Sequence, residues 1–198
     1  MLRSSRVLIA TASILLGLVF VFPLWRIDLK APQYPEGLGL LIKISDITGV
    51  KPYDLQNING LNHYIGMKAI EPDSIPELRF MPVFVAVMIA AGLLVAGTGN
   101  RALLYIWVGV FLIGSVAGLV DFWLWSYDYG HNLDPTAAIK VPGMTYQPPL
   151  IGSKKLLNFV ATSWPGLGGL AAMVSVGIGS VVAIGEWRRA RSGAEATG

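Results

Sequence analysis

The chain has no cysteine, only two histidines (His63 and His131), and charge on just 14% of its residues. Without cysteine there is no disulfide framework, no thiolate zinc site, no iron–sulfur cluster and no Cys-x-x-Cys-His haem attachment. Soluble domains carry about 25% charged residues, so the shortage of charge points to a bilayer. A 54% hydrophobic content and a mean hydropathy of +0.58 agree. Also missing are a nucleophile beside a base, a Walker loop and a dinucleotide-binding glycine fingerprint, so an enzyme acting alone is not expected. The pI near 9.2 does not imply nucleic acid, because the basic residues are not gathered with aromatics into a patch.

Four apolar runs are present instead. A spanning helix needs about 20 mostly apolar residues, and Val7–Trp25, Met81–Gly97, Ala102–Trp125 and Trp164–Trp187 satisfy this. Trp25, Trp123, Trp125, Trp164 and Trp187 lie at their ends, as an aromatic belt requires. The first run follows Arg3 and Arg6 but is long for a signal peptide, and bulky Phe22-Pro23-Leu24-Trp25 stands where a cleavage site would need small residues. It reads as an uncleaved anchor.

Arg3, Arg6, Arg101, Arg188, Arg189 and Arg191 fall in short segments on one side, against Glu186 and Glu195. The remaining nine bases face ten acids. The positive-inside rule then predicts both termini in the cytoplasm. The expected architecture is an all-α integral membrane protein, a four-helix transmembrane bundle with N-in/C-in topology. Its parts are 1–25 (first span), 26–80 (extracytoplasmic segment), 81–125 (helical hairpin), 126–163 (extracytoplasmic loop) and 164–198 (last span and tail). Thr98-Gly99-Asn100-Arg101 allows only a tight turn. The two outer segments are each small, and they are expected to fold on each other as a cap. Glycines in the fourth run (Gly166, Gly168, Gly169, Gly177, Gly179) and third run (Gly109, Gly114, Gly118) read as helix-packing seams.

Within the outer segments, Leu38–Ile47 alternates like a short strand, Asp46–Gly49 and Asn59-Gly60 read as turns, and Leu61–Ile70 as a short helix. That helix would put His63 and Met67 four apart on one face. The third run leaves the membrane through Asp121 to His131, and helical spacing aligns Asp121, Trp125 and Asp128, with His131 three residues on. A carboxylate so placed can hold the second ring nitrogen of a histidine ligand. Met144 follows in a proline-restricted loop, Val141-Pro142-Gly143-Met144-Thr145-Tyr146-Gln147-Pro148-Pro149. Each histidine is thus followed by a methionine in the same polar segment. Imidazole and thioether suit copper, Cu(I) above all, whereas thioether is a poor zinc ligand. The candidate metal residues are His63, Met67, His131 and Met144, supported by Asp128 and Asp121. Packing is the ordinary role of a methionine in such a chain, and Met88 and Met173 lie inside apolar runs.

The strings LWRIDLKAPQYPEGLGL, NINGLNHYIGM, DFWLWSYDYGHNLDP and PGMTYQPPLIGSKKLLNF span nearly the whole chain. They resemble a family of small bacterial membrane proteins associated with clade II nitrous oxide reductase clusters, the NosB-like proteins. The resemblance implies a multi-pass protein of the bacterial inner membrane, its main loops periplasmic, serving a copper enzyme by maturation, copper delivery or electron supply. It assigns no residues. Two further readings stand beside it: a non-catalytic anchoring subunit of a larger respiratory or oxidase complex, and a wall of a quinol site near Asp121 or His131.

Overall fold

The computed structural model describes residues 1–156 and 158–195. Among the described residues, four helices are long and apolar enough to cross a membrane. They begin with α1 (Arg3–Leu16), which tightens into a 3-10 turn over Gly17–Phe20. Next come α3 (Glu77–Thr98) and α4 (Arg101–His131), and last α5 (Leu167–Glu195). A shorter helix, α2 (Asp54–Ile65), lies outside the bundle. Gly99 ends α3 at φ +67°, and the Asn100 side chain accepts from the amides of Ala102 and Leu103 at 2.8 and 3.4 Å. That cap, worth about 1 kcal/mol, starts α4 at once, so the expected tight turn forms.

Where the helices meet, ring size is matched to missing side chains. Trp107 of α4 is 3% exposed, and its indole donates to the Met88 carbonyl at 2.8 Å. A Cβ on Gly92 would lie 2.1 Å from the Ser13 hydroxyl and 3.0 Å from the Trp107 ring, and one on Gly179 would lie 2.8 Å from that ring. Three helices thus close on one indole because two positions lack side chains. Gly166, Gly168 and Gly169 likewise press α5 against the carbonyls of Phe22, Pro23 and Leu24. Gly109, Gly118 and Gly177 meet nothing within 4 Å, so only part of the expected seams packs internally.

At the end of the bundle holding the termini and the α3–α4 turn, Glu186 is wholly buried. Its carboxylate accepts from the Leu2 amide (2.9 Å), the Ser5 hydroxyl (2.7 Å), Arg101 Nε (2.9 Å) and an Arg189 guanidinium nitrogen (3.4 Å). One side chain therefore clasps the starts of α1 and α4 to the last turns of α5.

The opposite end corrects the all-α expectation. It carries a five-stranded antiparallel sheet: β1 (Trp25–Ala31), β2 (Tyr34–Ile42), β3 (Ile47–Gly49), β4 (Gly152–Leu156) and β5 (Phe159–Pro165), in the order β3-β2-β1-β5-β4. β1 pairs Ile27 with Leu40 on one side and with Ser163 on the other. Trp25, Ile27, Leu29 and Ala31 alternate with Arg26, Asp28 and Lys30, the period of a strand with one apolar face. The first span accordingly ends at Phe20 and the last begins at Leu167, because Trp25 and Trp164 belong to paired strands. Alternation over Leu38–Ile47 breaks at a turn closed by the Lys43 amide on the Asp46 carbonyl (2.8 Å), and the expected turn at Asp46–Gly49 holds β3.

α2 packs across this sheet. Its buried Ile58 joins Trp25, Ile27, Leu40, Leu78 and Tyr129 in one core, each full burial of such a side chain being worth about 1.5–3 kcal/mol. Buried Asp54 accepts from the Gly39 amide (2.9 Å) and the Lys51 amide (3.1 Å), fixing the helix start to β2. Asn59-Gly60 lies inside α2 rather than in a turn: the Asn59 side chain takes both backbone groups of Ile70, at 3.1 and 2.8 Å.

Candidate functional site

The two segments outside the bundle do fold on each other. α2 stops at Ile65 because Gly66 turns to φ +81°, with the Met67 amide bonded back to the Asn62 carbonyl at 2.9 Å. The freed Gly66 carbonyl accepts from the Asp134 amide (2.8 Å), and the Tyr64 carbonyl from the Ile139 amide (2.9 Å). A side chain at Gly66 would stand 2.9 Å from the Asp134 carbonyl oxygen. Lys68 reaches Asp128 at 2.6 Å, and the Tyr129 hydroxyl donates to the Ala69 carbonyl at 3.1 Å. The proline-rich loop returns as well, the Tyr146 amide donating to the Gly130 carbonyl at 2.9 Å. The stretches carrying His63, His131 and Met144 therefore share one region of the cap.

Their side chains are arranged differently from expectation. His63 is exposed in the last turn of α2, whereas Met67 packs against the apolar core of the cap. The shared face fails because the helix ends at Ile65, before Met67 could continue its spacing. His131 stacks on Tyr127, ring centroids 3.8 Å apart, and its Nδ1 donates to the Tyr127 carbonyl at 2.9 Å. A carbonyl only accepts, so in the neutral ring Nδ1 carries the proton and Nε2 keeps its lone pair. Asp128 does not orient this ring. It is bonded to Lys68 and Asn132 instead. Met144 is half-buried in a turn closed by its own amide on the Val141 carbonyl (3.1 Å). Asp121 is exposed on α4 with Glu77 nearby, ten residues before His131.

Of the four predicted ligands, Met67 is half-buried against the cap core while His63 is exposed. Among the described residues no three His, Asp or Glu side chains gather as a metal-holding group. What remains is an imidazole with a defined tautomer, His131, and an exposed one, His63, on segments docked together. Next to them, the Thr136 hydroxyl and amide bond Asp134 at 2.6 and 2.7 Å. These bonds hold its carboxylate below the ordinary value, and the charges of His63 and Lys140 add to the effect. At the sheet, the hydrogen bonds that Arg26 donates to the Asp28 carboxylate raise its guanidinium above its ordinary value.

Two features went unread in the sequence. Lys68 secures the loop contact, and nothing local announces it. Glu186 gave a signal, being an acid at the end of an apolar run, where ionisable groups are usually paired or functional. The fold defines a class: a bundle of four spanning-length helices under a cap of sheet and helix. Neither a family model nor a curated protein matches the chain.

Proposed function

We propose that the chain is a non-catalytic membrane subunit that holds a rigid platform outside the cytoplasm for a larger respiratory complex. The observation that carries this reading is the construction of the cap. Its central strand, β1, follows the first span and pairs with β5, which runs into α5, while α4 continues straight from the bundle into the cap core. A platform so joined to three helices cannot swivel freely, as an anchor for a partner requires. The resemblance to proteins of nitrous oxide reductase clusters supplies the partner class, a periplasmic copper enzyme with its respiratory chain. The arginines at the terminal end of the bundle support a periplasmic cap, since the positive-inside rule favours that end in the cytoplasm. Because the chain has no cysteine, single cysteines at Thr136 and Thr98 can report the two sides to a membrane-impermeant thiol reagent. Thr136 should label in intact cells and Thr98 only after lysis. The main test is purification in mild detergent. Stoichiometric co-elution with a large complex is expected, and elution of the lone chain from membranes that contain the complex would end the idea.

The His131 tautomer favours a second reading, transient copper holding by His131 and His63 with Met144. It is tested by copper titration of the parent, His63→Ala, His131→Ala and Met67→Leu proteins. Binding must fall in both histidine variants and persist in Met67→Leu. Equal binding in all four would end this reading.

A further inference from the structure

α4 is held from Trp107 through Phe111 to Gly114 and again from Phe122, and is free between them. Near its start Trp107 is locked among three helices, and near its end Phe122 packs on Trp25, ring centroids 5.4 Å apart, with Tyr129 in the cap core. Between these, Val116, Ala117, Gly118, Leu119, Val120 and Asp121 are all exposed. Six consecutive residues at about 3.6 per turn go more than once around a helix, so no face of α4 is packed there. A spanning helix within a bundle ordinarily packs on at least one side. At Gly118 the space a side chain would fill is open, which lets a second backbone approach closely.

One turn beyond Gly118, on the same side of the helix, is Asp121. It lies twenty residues from Arg101, about 30 Å along the axis at 1.5 Å per residue, the thickness of a hydrocarbon core. Its carboxylate thus sits at the cap-side edge of the bilayer, beside a second acid, Glu77, at the start of α3. An apolar surface with a close-approach point, topped by two acids at the membrane edge, is complementary to a helix with a cation at that depth.

We infer that the Val116–Asp121 stretch of α4 docks a spanning helix of a partner protein, which carries a Lys or Arg within about one turn of its cap-side end. A second copy of this chain is disfavoured by charge. A two-fold axis along the membrane normal would set Asp121 against Asp121 at equal depth. This inference rests on the subunit reading above and names the surface that reading would use.

The test is photo-crosslinking in native membranes, with p-benzoylphenylalanine at Ala117, exposed and four residues before Asp121 on the same face, and, as a control, at Ile184, which is exposed on α5 away from this stretch. The Ala117 probe should give one discrete adduct whose sequenced peptide is a spanning helix with a terminal Lys or Arg. Its yield should fall at least tenfold in Gly118→Phe and severalfold in Asp121→Lys, while Asp121→Glu retains it. Both altered residues are exposed, and unchanged elution in detergent confirms folding. Adducts with lipid only, an adduct with a second copy, or a yield indifferent to Asp121→Lys would each overturn the inference. If the complex still co-elutes in those cases, the subunit reading survives and only the α4 surface is wrong. If co-elution is also absent, both fail.

Discussion

Removing the Glu186 carboxylate should loosen the terminal end of the bundle by a calculable amount. In Glu186→Ala, the Leu2 amide and the Ser5 hydroxyl lose their acceptor. A buried polar group left without a partner costs about 1–3 kcal/mol. Arg101 and Arg189 lose less, because their side chains are 43% and 51% exposed and can turn to water. Each such pair is worth at most about 1 kcal/mol. The sum runs from about 2 to 8 kcal/mol and brackets the roughly 3–5 kcal/mol typical of breaking a buried ion pair. For a chain of this length 1 kcal/mol moves the melting temperature by about 2–4 °C, so a drop of about 10 °C is expected. Glu186→Gln keeps one oxygen for the α1 donors and loses the charge, so it should fall between parent and Ala. The assay is retention of monodisperse protein after heating in detergent, read by size exclusion. In a cycle with Arg101→Ala, the Glu186–Arg101 coupling should be about 0.5–1 kcal/mol. An alanine variant melting within about 2 °C of the parent would refute the clasp.

Gly66→Ala forces an L side chain to φ +81° and against the Asp134 carbonyl, at about 1–2 kcal/mol for the backbone alone. The Ile139 amide should then exchange hydrogen faster, since its acceptor lies on Tyr64. Gly179→Ala meets the Trp107 ring at 2.8 Å and should destabilise by about 1–3 kcal/mol. Gly177→Ala, where nothing lies within 4 Å, should be neutral or gain up to about 1 kcal/mol of helix propensity. Among the described residues the Tyr146 hydroxyl is buried without a partner, so Tyr146→Phe should leave stability unchanged or raise it by about 1 kcal/mol, read as a melting shift. The Asp134 carboxylate titrates below its unfolded value, so its contribution is present above about pH 3.9 and lost as pH falls through the lower folded value. Protection of the Thr136 amide, measured against its intrinsic exchange rate, should fall over that acid range and hold steady above it.

The spans were legible because each is a continuous apolar run, and length alone separates such a run from a buried strand. The sheet was not, although part of its signal was present. Trp25 to Ala31 alternates strictly, yet Trp25 also fits the end of a span and Arg26, Asp28 and Lys30 look like interfacial charges. β5 was hidden because Val160-Ala161-Thr162-Ser163-Trp164 lies against an apolar run and reads as its approach. The meeting of the two outer segments could be expected from their small size. The ligand geometry could not, because it turns on Gly66 ending α2 two residues before Met67 and on Asp128 choosing Lys68, a partner 60 positions away.

The placement of β1 has a consequence for biogenesis. The Thr162 hydroxyl donates to the Asp28 carbonyl across 134 positions of sequence, and every β1–β5 bond bridges a similar distance. While the nascent chain emerges from the ribosome, β1 and β2 can zip together early. The other margin of β1 must wait until two more helices have been threaded into the lipid and residue 165 has been made. Through that interval a row of amides and carbonyls stands open, the kind of strand edge that recruits foreign strands. A chain halted before residue 159 would keep that edge open permanently.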